Sequence, residues 1–395
     1  MNREQGQSIL ERIDDTCEVF AESAVEAEQL GRLPDDSAKL IRDLGVIRML
    51  QPPEHGGYAC HPCDFFEAVM AIGAADPAAG WVSGVIGVHP WEMTFNDPQV
   101  QDEVWGEDPD TWVASPYAPM GMAKPVDGGY RFTGRWSFSS GTDHCDWVVL
   151  GGFVEGRMAD NGFPKMYHLL LPRADYEIDH DSWDTLGLRG TGSKDIIVED
   201  AFVPEHRALD ATPVLDGTAA GELGRDEVLF SMPWSAIFPV ALTAAVIGIC
   251  EGALHEHVAY QKGRVSFGRK ASKDPFQMAT MGEAASEIHA SRSQLLMNTS
   301  AMFDQLSHGR EITWEQRAAA RRDQVRAAWR AVEAVDEIFT RSGGNAARAS
   351  SPIARVYRDA HTALNHAIFA HGPTYQAAAK AMIGEPPGDP VALLI

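Results

Sequence analysis

The periodicity of apolar residues changes twice along this chain, from helical to strand-like and back to helical. That order restricts the fold more than any single motif does. Over residues 8–107 apolar side chains recur at helical spacing, first Ile9, Ile13, Val19, Phe20 and Val25, then Leu40, Ile41, Leu44 and Ile47. Another helix begins at 65–70. Asp76-Pro77 reads as an N-cap followed by proline at the first helical position, opening a helix through Trp81, Val85 and Ile86. From Trp112 to Pro204 the texture is different. Gly128-Gly129 separates two short runs as a hairpin turn would. Apolar or β-branched runs at 147–150, 168–171 and 195–198 predict about eight short strands in a barrel or sandwich. A loop rich in Gly, Ala and Asp covers 210–227. Helical spacing then returns at roughly 234–262, 275–307, 314–341 and 352–371, enough for a four-helix bundle. Gly343-Gly344 reads as a C-cap and turn. The chain is therefore α+β in three parts: an N-terminal helical domain over 1–110, a middle β-domain over 111–215 and a C-terminal bundle over 230–395.

Composition argues against several partners. With 33 basic and 56 acidic residues the formal charge is −23. Nucleic-acid and anionic-membrane binding both want clustered Lys and Arg, so neither is expected. The start, MNREQGQSILERIDD, lacks a basic region followed by an apolar core and is not read as a signal peptide. Residues 231–250 carry no charge, but Pro233, Ser235, Pro239 and Thr243, with the polar continuation His255-Glu256-His257, make them a buried core helix rather than a membrane span. Five cysteines (Cys17, Cys60, Cys63, Cys145 and Cys250) are an odd, sparse set that points to a reducing, cytoplasmic compartment. Cys60-His61-Pro62-Cys63 has the spacing of a redox pair. A zinc site would need a second ligand pair, which the spacing does not offer. Loop cysteines are the simpler reading.

Three segments hold residues that could carry chemistry. Residues 134–141, GRWSFSSG, place Ser137, Ser139 and Ser140 near an exposed turn, where hydroxyls and backbone N–H groups can bind a heterocycle. On composition alone a polar hairpin end is the favoured reading. Residues 187–193, GLRGTGS, have three glycines that permit close approach of a ligand. They fail the G-x-G-x-x-G pattern and lack its βαβ context, so a nicotinamide Rossmann site is not expected. Finally, His89 lies near Trp81 and Trp91, while His361 and His366 share the last helical stretch at a spacing that puts them on different faces. A neutral histidine is a good proton acceptor, and a lone one is more often structural. The chain has no G-x-S-x-G, Walker loop or H-E-x-x-H.

Several local patterns together resemble the acyl-CoA dehydrogenase superfamily. Residues 130–147 are similar to its flavin-contacting strand pair, with Gly134, Ser140 and Trp147 in register. Residues 186–193 and 198–204 resemble the family's next loop and strand, and Gly263-Arg264-Val265-Ser266-Phe267-Gly268 resembles its R-x-x-F-G element. A dehydrogenase needs a carboxylate on the last helical stretch, yet that stretch reads Phe369-Ala370-His371. The stretches 80–83, 88–89, 104–108, 117–121, 321–326 and 358–361 instead resemble the two-component flavin-dependent monooxygenase branch, notably its secosteroid and p-hydroxyphenylacetate hydroxylases.

This resemblance implies an oxygenase that hydroxylates a phenolic, polycyclic or indole-type substrate with reduced flavin (FADH2 or FMNH2) and O2 through a C4a-hydroperoxide. A separate NAD(P)H:flavin reductase would supply the reduced flavin. It implies Ser140 at flavin N5, with Ser139 and Phe138 also binding flavin, Ser115 beside the flavin and the substrate, His366 as the base and His89 orienting the substrate. Trp81 would wall the pocket. Arg264 and Phe267 would clamp flavin across subunits of a homotetramer. The alternative reading is a flavin-dependent acyl-CoA dehydrogenase or oxidase, which predicts tightly held FAD and a thioester substrate. A flavin-free binding protein that kept the fold is the third.

Overall fold

The computed structural model describes residues 3–159, 162–266 and 268–386. Five helices come first: α1 (Arg3–Leu30), α2 (Asp35–Leu44), α3 (Pro62–Ala75), α4 (Pro77–Met93) and α5 (Pro98–Trp105). Asp76 caps α4 as its sequence predicts, its carboxylate accepting from the N–H groups of Ala78 at 2.9 Å and Ala79 at 3.3 Å. Every residue of α4 is buried. Apart from Ser83, His89 and Glu92 its sequence is apolar on every face, so it fits at the centre of the molecule. It packs on α3 through glycine, for a Cβ on Gly80 would lie 2.3 Å from the Gly73 Cα.

Eight strands follow: β1 (Val113–Ala114), β2 (Gly121–Val126), β3 (Gly129–Ser139), β4 (Trp147–Met158), β5 (Pro164–Pro172), β6 (Glu177–Asp179), β7 (Lys194–Pro204) and β8 (Ala208–Asp210). They form one mixed sheet of order β6-β7-β3-β2-β4-β5-β8, with β1 paired to β4. Gly128, at φ +76°, turns β2 into β3. The pairing of β3 with β7 is irregular between Trp136 and Ser139. Phe138 sits in that irregularity with φ +73°, a backbone region costly for a residue with a Cβ.

After two short helices, α6 (Thr212–Asp216) and α7 (Ala219–Glu222), come α8 (Phe238–Gly263), α9 (Pro275–Ser307), α10 (Trp314–Ser342), α11 (Pro352–Ala363) and α12 (His371–Met382). Helix α8 is long and apolar enough to cross a membrane, yet it is buried against α3, α4, α10 and α11. Gly343, at φ +78°, ends α10 as its position predicts.

The stretch 352–371, expected as a single helix, is broken. His366 has left the helix at φ −63°, ψ 137°, and its side chain caps a short 3-10 turn at Ala367–Phe369. The pair in Cys60-His61-Pro62-Cys63 carries free thiols, both buried, and Cys63 lies in the first turn of α3 rather than in a loop. Burial pushes both thiols up to about 12, so neither is the thiolate that redox exchange requires.

Candidate active site

Helix α4 and the turn after β3 meet at Trp81 and Ser140. The indole Nε1–H donates to Ser140 Oγ at 3.1 Å. Ser140 Oγ lies 2.7 Å from Ser193 Oγ, and Ser193 Oγ 2.7 Å from Thr191 Oγ1. Thr191 donates its hydroxyl proton to the Leu188 carbonyl at 2.8 Å. Beside this chain the Phe138 ring is 67% exposed and meets Trp183 edge-on at 6.3 Å. The neighbouring Ser139 hydroxyl is buried, with no hydrogen-bond partner among the described residues. An exposed aromatic face held in a strained turn, next to buried hydroxyls, fits a flat heterocycle with a polar edge such as isoalloxazine.

The second cluster lies further along α4. His89 Nδ1 donates to the Val113 carbonyl, which leaves Nε2 as the acceptor of the Ser115 hydroxyl at 2.6 Å. Burial holds the His89 imidazole at about 4, so it is neutral at ordinary pH. Tyr117 stacks on His168, with ring centroids 4.7 Å apart and planes at 16°, and meets His89 edge-on at 5.6 Å. His168 Nδ1 pairs with Glu92 Oε1 at 2.5 Å, both side chains being buried. Sequence reasoning missed Glu92, His168 and Tyr117. One signal was available for Glu92, the single acidic residue of an otherwise apolar helix.

The break at His366 turns its ring toward Trp81, with centroids 5.9 Å apart. His366 Nδ1 accepts the Ile368 N–H at 3.3 Å, so the neutral ring carries its proton on Nε2. Burial and then the Arg321 charge hold it down to about 4. Arg321 is itself buried. It donates to the Ile368 carbonyl, and burial pushes it down to about 10. Trp329 Nε1 donates to the Phe369 carbonyl at 3.0 Å, which pins the same turn. The expected role of His366 as base would need a free Nε2 lone pair. In this geometry Nε2–H is a donor, whereas in the Ser115–His89 pair the Ser115 oxygen can still accept.

His361 pairs with Asp336 at 2.7 Å and takes no part in either cluster. Arg264 follows the end of α8, where Nη1 donates to the Arg341 carbonyl at 2.7 Å. Its partners lie in the bundle, away from Ser140. Phe267 lies outside the described residues.

Comparison with known proteins gives the chain a family. Residues 240–371 match the family described as Acyl-CoA dehydrogenase, C-terminal domain. The chain is 50% identical to the pigment production hydroxylase of Rhodococcus erythropolis, over 98% of this chain and 99% of that protein. It is 41% identical to the flavin-dependent monooxygenase oxygenase subunit HsaA of Mycobacterium tuberculosis, over 98% of both. The HsaA crystal structure matches with a TM-score of 0.92, covering 99% of this chain and 100% of that one. XiaF from Streptomyces sp., solved with FADH2 and glycerol, matches at 26% identity with a TM-score of 0.90, over 98% of both chains. This chain belongs to the flavin-dependent monooxygenases, as an oxygenase component built on the acyl-CoA dehydrogenase fold.

Proposed function

We propose that the protein is the oxygenase of a two-component system that hydroxylates a phenolic, polycyclic or indole-type aromatic substrate. A separate NAD(P)H:flavin reductase provides FADH2 or FMNH2, and the enzyme works in the cytoplasm as a homotetramer. The observation that carries the reading is the buried Ser115–His89 pair, whose tautomer leaves the Ser115 oxygen, backed by His89 Nε2, able to accept a proton. A ring that is to receive an electrophilic oxygen must be made electron-rich, and removing a phenolic or ring N–H proton does that.

Reduced flavin with O2 supplies the oxygen atom, and Ser140, Ser139 and Phe138 are the residues that would hold its ring. Ser115 takes the substrate proton as its own passes to His89 Nε2, and the resulting imidazolium stays bonded to the Val113 carbonyl. Glu92, one helical turn from His89, draws that proton toward the imidazole. His366 Nε2–H would donate to the bound substrate, and Trp81 would wall the pocket. A dehydrogenase would need a carboxylate on the last helical stretch, where the chain turns His366 inward instead.

The test supplies photoreduced FAD and O2 to the purified protein with resorcinol, 4-hydroxyphenylacetate and indole-3-acetate as probes. Mass spectrometry then looks for products that have gained one oxygen atom. Oxidation of acyl thioesters by tightly co-purifying FAD, with no hydroxylated aromatic, would place the protein with the dehydrogenases. Ser115→Ala is expected to lower product per reduced flavin consumed by tenfold or more, because the proton then lacks its first acceptor.

A further inference from the structure

The hydroxyl chain at Ser140 has a fixed direction. Trp81 Nε1 can only donate and the Leu188 carbonyl can only accept. Thr191 has one hydroxyl proton, and it goes to the Leu188 oxygen at 2.8 Å. The contact of 2.7 Å between Ser193 and Thr191 then needs the Ser193 proton. The contact of 2.7 Å between Ser140 and Ser193 in turn needs the Ser140 proton. Trp81 donates to Ser140 at 3.1 Å. Protons therefore run one way, from Trp81 through Ser140, Ser193 and Thr191 to Leu188. All four side chains are buried, so water does not compete for the bonds. Ser140 has spent its proton, and its oxygen keeps one lone pair. Toward any ligand, Ser140 can accept a hydrogen bond and cannot donate one.

We propose that Thr191 and Ser193 are positioning residues that lock Ser140 as a hydrogen-bond acceptor and so select reduced over oxidised flavin. The inference rests on the flavin-binding reading of the site. Reduced isoalloxazine carries an N–H at its central ring nitrogen N5, which the Ser140 oxygen can receive. The oxidised ring presents a bare nitrogen lone pair there, which repels the Ser140 oxygen and gains nothing from it. For Ser140 to donate to that nitrogen, the bond to Ser193 must be given up, leaving the buried Ser193 oxygen without its donor. An oxygenase fed by a separate reductase gains from this selectivity, because spent flavin is released and reduced flavin takes its place.

The experiment measures the dissociation constants of photoreduced and oxidised FAD, under anaerobic conditions, for the wild type, Ser193→Ala and Thr191→Val. Both variants cut the chain, and Thr191→Val keeps its shape. With the chain cut, Ser140 is free to turn and donate to the oxidised ring. The preference for the reduced form is expected to fall by about tenfold, a drop of about 30 mV in the midpoint potential of the bound two-electron couple. A merely structural role would weaken both forms equally and leave the ratio unchanged. An unchanged ratio in both folded variants, with both forms still bound, overturns this inference alone. Failure of both redox forms to bind the wild type takes down the flavin reading with it.

Discussion

At the scale of single residues, the two histidines of the site are kept neutral by burial, and that has a pH consequence. His89 and His366 are both brought from an ordinary value of 6.5 down to about 4. Between those values the unfolded chain binds protons that the native chain does not, so stability falls as pH falls from 6.5 towards 4 and is fully present above 6.5. Denaturant titrations at pH 7 and pH 5 should show the loss. His366→Gln should reduce proton uptake on unfolding at pH 5 by about one proton. An unchanged uptake would mean that His366 titrates normally in the folded state. The Gln amide also retains a donor in the place of Nε2–H, so product formation in this variant should stay within a few-fold of wild type if His366 is a donor. A loss as large as that of Ser115→Ala would restore His366 as the base.

At the scale of elements, α4 positions Trp81, His89 and Glu92 together, and its start and its packing decide whether it holds them in place. Asp76 is the N-cap, with burial pushing its carboxyl up to about 6 against the two backbone N–H groups that bring it down. Asp76→Ala should cost about 1–2 kcal/mol in global stability, whereas Asp76→Asn, which can still accept from both N–H groups, should cost less. Equal losses in urea melts would remove the cap from the account. The glycine contact between α3 and α4 is more demanding. Gly80→Ala places a methyl group 2.3 Å from the Gly73 Cα, so the helices must separate. Lower thermal stability and weaker flavin binding are expected together, since Trp81 is the next residue. A variant as stable as wild type would show that the crossing can relax without cost.

At the scale of the whole molecule, Arg264 is the residue that the monomer leaves apart from the site. It is tied to Arg341 in the bundle, and its guanidinium lies 5.6 Å from the Tyr260 ring. If it clamps flavin bound by another subunit, Arg264→Ala should weaken reduced-flavin binding tenfold or more, the loss of a charge-assisted contact. Light scattering should still give the mass of a tetramer. A monomeric wild-type protein with undiminished flavin affinity would end that assignment.

Element order, the Asp76 cap, the hairpin at Gly128 and the bounds of α9 and α10 were legible in the sequence because helical period, strand alternation, capping and turn chemistry are local properties. The monomer also brings Trp81, Ser140 and His366 together, and His89 with Ser115, pairs whose residues were picked out by resemblance. What the sequence did not reveal depends on partners distant along the chain. Glu92 meets His168 across 76 positions, and Ser140 meets Ser193 across 53. The break that frees His366 is held by Arg321 and Trp329 from another helix. The direction of each hydrogen bond, and with it whether a histidine or serine accepts or donates, follows from which carbonyl lies at the end of the chain of contacts. Only packing sets that, because burial removes the water that would otherwise satisfy either orientation.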